Sequence, residues 1–254
     1  MGTMQSQEAQ NTAPEVSPVT TVVRRLSEIT PAEVDRLFEL MSEHFEGIDR
    51  AHFEHDLREK DWVFLVLEHS TERIVGFSTL MALRTEFDGE PLVAWFTGDT
   101  VISPEHWGDR GFIRAVGKHM FAERKALHDG PVYWVLLTCT NRSYRLMPGM
   151  FETYHPRRDA ATSPDLLRKL EKLVRMKFPD EYDAEKTVVA LKDPTPVIGN
   201  RSAISDRHLA DPEVAFFVQA NPGYARGDYL ACFTLLSYDN VNRLGRRIWS
   251  VEPD

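Results

Sequence analysis

The sequence predicts an α/β chain, strands and helices built around one core, on three observations. Leu92 to Phe121 reads as an apolar strand, a Ser-Pro turn, a glycine-containing loop and a helix. Val132 to Thr140 is a second apolar run of strand length, and Trp62–Leu67 and Ile74–Leu80 flank a polar turn as a hairpin would. A chain of 254 residues, 42% hydrophobic and 10% aromatic, is large enough to bury a core in one large domain, or in one domain plus an extension.

The elements follow in order. Residues 1–20, rich in Gln, Ser, Pro and Glu, read as a disordered tail and lack the basic and apolar regions of a signal peptide. Thr30-Pro31-Ala32-Glu33 is a capping box with proline at the first helical position, starting a helix that buries Val34, Leu37, Phe38 and Met41. A second helix covers Ala51 to Lys60, and the hairpin comes next. After the strand that ends at Ile102, a helix from Phe112 to Leu127 sets Ile113, Val116, Met120 and Phe121 on one face, until Asp129-Gly130-Pro131 breaks it.

Beyond the strand Val132 to Thr140 come Asn141-Arg142-Ser143-Tyr144 and Gly149-Met150-Phe151. Ser163-Pro164 opens a helix with a stripe of Leu166, Leu167, Leu170, Leu173 and Val174, followed by a strand Lys186–Leu191 and a loop Asp193–Arg201. Ile204–Gln219 reads as a helix, Tyr229–Leu236 as a last strand and Tyr238–Trp249 as a terminal helix. With no long linker and no repeat, residues 21–254 read as a single domain, of which 159–254 is an extension that completes the sheet.

Several function classes are excluded or weakened. No apolar run reaches membrane-span length. The two cysteines, Cys139 and Cys232, are too isolated for a disulfide framework or a zinc site, and a net charge of −9 weighs against a broad nucleic-acid surface. His44, His52 and His55, interleaved with Glu43, Glu46, Glu54 and Asp56, read as a solvated charged face and not as a metal site.

The loop after Val101-Ile102-Ser103-Pro104 carries the chemistry. Unpaired N–H groups at a helix N-terminus, with the positive end of the helix dipole, favour phosphate. Gly108-Asp109-Arg110-Gly111 has neither the spacing nor the lysine of a P-loop, and Arg114 completes no dinucleotide fingerprint. With these set aside, the stretch resembles the pyrophosphate loop of the GCN5-related N-acetyltransferase (GNAT) superfamily, Gln/Arg-x-x-Gly-x-Gly/Ala after a strand ending in Val-x-Pro or similar. Gly111 is then the central glycine, while Gly108 and Ile113 depart from the pattern at its first and last positions. The element order from residue 21 to 158 is also similar to that family's.

The resemblance implies a GNAT-like acyltransferase fold: a central mixed, mostly antiparallel sheet flanked by helices, here with extra C-terminal helices. It implies transfer of an acyl group from a phosphopantetheine thioester, as acyl-CoA or acyl carrier protein, to the amine of a small molecule or peptide in the cytoplasm, without a metal. Val101, Ile102, Gly108, Asp109, Arg110, Gly111, Phe112, Ile113 and Asn141 would hold the donor. Tyr144 would protonate the departing thiolate, Asp99 would act as base or orient the amine, and His106 would bind phosphate or relay protons. Cys139 reads as a small buried hydrophobe, so transfer is direct.

If this fold holds, the acidic residues around His44 border the acceptor entrance and attract a cationic amine. The long C-terminal part is similar in organisation to bacterial natural-product acyltransferases, including enzymes that place fatty acyl groups on peptide side-chain amines. The expectation is thus an apolar tunnel for a long acyl chain among Trp95, Phe96, Tyr133 and Trp134. Two other classes stay open: a non-catalytic acyl- or CoA-binding module, and a thioester hydrolase or decarboxylase on the same fold.

Overall fold

The computed structural model describes residues 17–107, 109–199 and 203–253. Their strands are β1 (Val19–Arg25), β2 (Trp62–Glu68), β3 (Ile74–Phe87), β4 (Glu90–Ile102), β5 (Val132–Thr138), β6 (Tyr182–Asp183), β7 (Val188–Val189) and β8 (Tyr229–Leu235). They form an eight-stranded sheet in the order β1-β2-β3-β4-β5-β8-β7-β6. All neighbours are antiparallel except β4 and β5. A parallel pair needs a crossover, and α3 (Arg110–Leu127) provides it. The sheet is therefore mixed and mostly antiparallel, as the resemblance implies.

Two irregularities position everything else. β4 and β5 pair only from Val93/Val132 to Thr97/Leu136, so both strands run on past their last shared rung. In the β3–β4 ladder, Leu80 faces Thr97 but Ser78 faces Thr100, which leaves Gly98 and Asp99 opposite Thr79 alone. That is a β-bulge, and it bends β4 just where it leaves β5. Glycine is required there: a Cβ on Gly98 would lie 2.5 Å from the Thr79 hydroxyl and 3.0 Å from Lys60 Cε.

Helices cover both faces. On one face α1 (Pro31–His44) and α2 (Arg50–Leu57) bury Leu37, Leu40, Phe53 and Leu57 against Val63, Leu65, Phe77 and Val101. Further along that face α6 (Pro164–Val174) sets Leu170, Leu173 and Val174 against Leu83, Phe96, Val135 and Phe233. The opposite face carries α3 with α5 (Leu146–Met150) and α9 (Arg243–Trp249), closing on Phe64, Leu80, Trp95 and Trp134. The Thr30 capping box is present, its hydroxyl accepting from the Glu33 N–H.

Several expected boundaries move. Val19 and Thr20, placed in the tail, belong to β1, while residues 1–16 lie outside the described residues. The helix expected over 204–219 is two, α7 (Asp206–Leu209) and α8 (Pro212–Ala220). Asp211 restarts it as an N-cap with proline following. The strand expected over 186–191 shrinks to Val188–Val189, and the terminal helix starts at Arg243 behind an Asn242 cap. β8, from the C-terminal part, lies directly beside β5.

Candidate functional site

A cavity of about 280 Å³ occupies the gap where β4 and β5 part. Its walls are Thr97 and Thr100–Ile102 of β4, Leu136 of β5, the first turns of α3 and the start of α4 (Asn141–Tyr144), with Trp134, Met120 and Trp249 as apolar wall. His44, Phe45 and Val197 form another part of the wall. They are sewn together by backbone bonds from Ile198 N–H to the His44 carbonyl (2.8 Å) and from Glu46 N–H to the Pro196 carbonyl (3.0 Å). Ser78 and Thr100 face the cavity with their hydroxyls 2.7 Å apart.

Of the residues expected to hold a donor, Val101, Ile102, Asp109, Phe112, Ile113 and Asn141 line this cavity, as does His106. Arg110 and Gly111 belong to the first turn of α3 and are not in the wall, and Gly108 lies outside the described residues. The helix N-terminus is not vacant. Asp109 is its N-cap, one carboxylate oxygen accepting the Gly111 N–H at 2.6 Å and the other accepting from the Ser17 hydroxyl. The chain's own carboxylate thus sits where the resemblance puts a diphosphate.

Beside it, Trp107 donates its indole N–H to the Ile102 carbonyl (2.7 Å), and the Arg142 guanidinium stacks 3.6 Å above the Trp107 ring. Burial pulls the pKa of Arg142 below its ordinary value, and the residue lines the cavity. Nδ1 of His106 is buried without a hydrogen-bond partner among the described residues.

Asp99 stands on the bulge, half-buried, adjacent in sequence to cavity residues but not itself in the wall. Burial, and then the Asp56 carboxylate, push its pKa up to about 6 against the opposing pull of Lys60 and His52. Lys60, whose side chain is 1% exposed, is held by Asp56 at 2.6 Å, and Lys177 reaches the same carboxylate at 3.2 Å. The Cys139 thiol, pushed up to about 11 by burial, is not a thiolate near neutral pH.

Tyr144 is elsewhere. It is fully buried, its ring beside Phe216 and Phe217, and its hydroxyl lies 3.3 Å from both the Pro156 carbonyl and a Glu213 carboxylate oxygen. It does not line the cavity, and burial raises its pKa. The expected role as proton donor to a thiolate therefore has no geometry behind it. Met147 and Met150, which follow it, are buried as well. Tyr144→Phe is expected to cost about 0.5–1.5 kcal/mol of stability and to leave turnover near wild type. Urea unfolding with steady-state kinetics checks both, and a hundredfold loss of turnover in the folded variant would restore the catalytic role.

The aromatic residues expected to line a tunnel divide between the faces. Trp134 alone reaches the cavity; Trp95 donates its indole N–H to the Met120 carbonyl, Phe96 packs in the α6 core, and Tyr133 stacks on Phe233. His44, taken from the sequence as part of a solvated face, is buried at 7% exposure, whereas His52 and His55 are exposed. The signal was present: His44 is seven residues beyond Leu37 and three beyond Met41, on the buried stripe of α1.

No protein-family model matches the chain and no curated protein matches it. Solved structures match parts of it. A probable N-acyltransferase from Enterococcus faecalis V583 is 20% identical, over 53% of this chain and 33% of that one, with a TM-score of 0.40. The GNAT family N-acetyltransferase YhbS from Escherichia coli, in complex with CoA, is 16% identical over 56% of this chain and 72% of that one, with a TM-score of 0.37. Arabidopsis thaliana NAA60 in complex with acetyl-CoA is 15% identical over 53% and 87% of the two chains, with a TM-score of 0.39. The matched part thus covers 33% of the Enterococcus protein's length.

Proposed function

We propose that this chain is a GNAT-like N-acyltransferase that moves a short acyl group from a phosphopantetheine thioester to a primary amine. The observation that carries the reading is the parting of β4 and β5 around a cavity of about 280 Å³, with a bulge-borne carboxyl beside it. Parted parallel strands offer backbone groups that no neighbouring strand uses, which suit the amides of a pantetheine arm. The thioester carbonyl would then lie in the gap and the amine would approach from the side of α1 and α2. At neutral pH Asp99 is a carboxylate and draws the acceptor as its ammonium.

Size favours a short acyl group. An apolar cavity of about 150 Å³ holds one benzene, and a cavity of about 280 Å³ that must also take the pantetheine end suits a short group better than a fatty chain. Trp134 and Trp249 are part of its apolar wall. The donor's far end is gripped less. With Asp109 on the α3 N-terminus, a diphosphate meets a like charge, so CoA and a carrier protein are both acceptable carriers of the arm.

Free-thiol release with acetyl-, butyryl-, octanoyl- and palmitoyl-CoA and with acetyl-pantetheine, in the presence of a primary-amine panel, tests the reading. The specificity constant is expected to fall with chain length, and acetyl-pantetheine to approach acetyl-CoA. No release with any donor would leave a binding module, and release that ignores the amine would make it a hydrolase. Asp109→Asn keeps an oxygen for the Gly111 N–H but removes the charge. It is expected to tighten CoA by about 2- to 5-fold in calorimetry, and unchanged affinity would take Asp109 out of the donor's reach.

A further inference from the structure

His44 closes α1 with its ring held at one nitrogen. Nδ1 lies 2.8 Å from the Leu40 carbonyl oxygen. A carbonyl only accepts, so Nδ1 carries the proton and Nε2 presents a lone pair. The residue is 7% exposed, and Nε2 is buried with no hydrogen-bond partner among the described residues. Buried acceptors are almost always paired, and His44 is one of the residues of the cavity wall, so a donor that arrives with a ligand would account for the open one.

The surroundings say what kind of donor. His44 lines the cavity with Phe45, Ser78 and Val197, and its own carbonyl is tied by the Ile198 N–H, so the residue is fixed at backbone as well as ring. It stands on α1, on the sheet face that also carries α2 with Asp56, one of the groups acting on Asp99. The other titratable or charged groups in the cavity wall are His106, Asp109, Arg142 and His208. Of these, His106 and Asp109 belong to the loop before α3 and its cap, the side assigned to the donor.

We propose that His44 Nε2 is the catalytic base that takes the proton of the attacking amine; this rests on the acyl-transfer reading above. The acceptor's ammonium first gives one proton to solvent; the lone pair of the neutral amine then forms the C–N bond to the thioester carbonyl carbon, and the C–S bond breaks with its electrons going to sulfur. The N–H proton passes to Nε2, giving an imidazolium whose Nδ1–H stays on the Leu40 carbonyl. That imidazolium gives the proton to the thiolate through solvent, leaving an amide, a free thiol and neutral His44. The lone pair is available from the outset because the tautomer is set by Leu40.

The test compares wild type, His44→Asn and His44→Gln in thiol release from acetyl-CoA, with ethanolamine, putrescine or phenethylamine and with no amine. Asparagine retains a side-chain N–H for the Leu40 carbonyl, glutamine places an amide near Nε2, and neither accepts a proton. The expected result is a fall in kcat of about 10²- to 10⁴-fold in both, with CoA affinity and the unfolding midpoint near wild type. A kcat within about threefold of wild type in either folded variant overturns the assignment. Wild type that releases no thiol under any condition overturns the acyl-transfer reading, and His44 as base falls with it. Imidazole ¹⁵N spectra of wild type need no variant: N-acetylphenethylamine, at concentrations that inhibit turnover, is expected to shift the His44 Nε2 resonance. An unmoved resonance also overturns the assignment.

Discussion

Trp249→Ala lowers the unfolding free energy by about 3 kcal/mol, the low end of the range of about 3–5 for large aromatic truncations. The indole is 1% exposed and its ring centroid lies 5.4 Å from Phe151, 5.8 Å from Phe121 and 6.2 Å from Trp134. Gly117 on α3 is the counterpart of this packing, since a Cβ there would come within 2.3 Å of the ring. One term works the other way. The indole N–H is buried without a partner among the described residues, and removing an unpaired donor returns about 1–3 kcal/mol, which is why the low end is expected.

Urea unfolding measures the loss, and a change below about 1 kcal/mol would show that the site collapses around the smaller side chain. The same variant lengthens the cavity, since Trp249 is part of its wall. Octanoyl-CoA should therefore gain on acetyl-CoA in the variant, whatever happens to absolute turnover. Trp249 thus belongs to both the core and the cavity wall.

How much of this was legible follows from how local each signal is. Caps and periodicity are local, and Thr30-Pro31 with Glu33, Ser163-Pro164 and the apolar stripe of α3 all produced their helices. β1 escaped notice because four of the seven residues of Val19–Arg25 are Thr or Arg, acceptable on an edge strand paired only to β2. The break between α7 and α8 was marked by Asp211-Pro212, but the apolar run Val214–Val218 that follows carried the reading of one helix across it. The bulge at Gly98–Asp99 exists only relative to β3, and no reading of β4 alone reveals which two residues share one partner.

The site divides in the same way. The strand-loop-helix was legible because its turn residues are contiguous, and most of its expected donor contacts do meet at one cavity. Asp109 was legible as a loop residue but not as the N-cap of α3, because capping depends on a rotamer that spacing does not specify. Tyr144 lies outside the cavity wall, and its aromatic neighbours come from residues 216 and 217, far along the chain, which its place after a strand does not reveal. His44 was hidden by the acidic residues on either side of it, which point to solvent while its own position follows the buried stripe.

Asp99→Asn makes the protein more stable and less active, a combination that packing alone does not produce. The carboxyl has a folded pKa of about 6, above the unfolded value of about 3.9. The folded state therefore holds the proton to higher pH than the unfolded state does. The contribution of Asp99 to stability is fullest below pH ~4, declines between about 4 and 6, and by neutral pH the whole penalty of carrying this half-buried charge is present. The amide carries no charge, so at pH 7 the variant gains about 1–3 kcal/mol, and near pH 4 the difference vanishes. Denaturant titrations at the two pH values measure it, and equal stability at both would mean that the carboxyl titrates normally. Activity moves the other way. If the Asp99 carboxylate draws the ammonium, losing it costs about 2 kcal/mol or more of binding in the transition state, roughly a 30-fold fall in kcat/KM for the amine. The wild-type acid limb near pH 6 should also lose its Asp99 component. A variant that is more stable but turns over like wild type would assign the raised pKa to burial without function. One that is less stable would show that Lys60, whose ammonium is close to the bulge, depends on Asp99 for its charge balance.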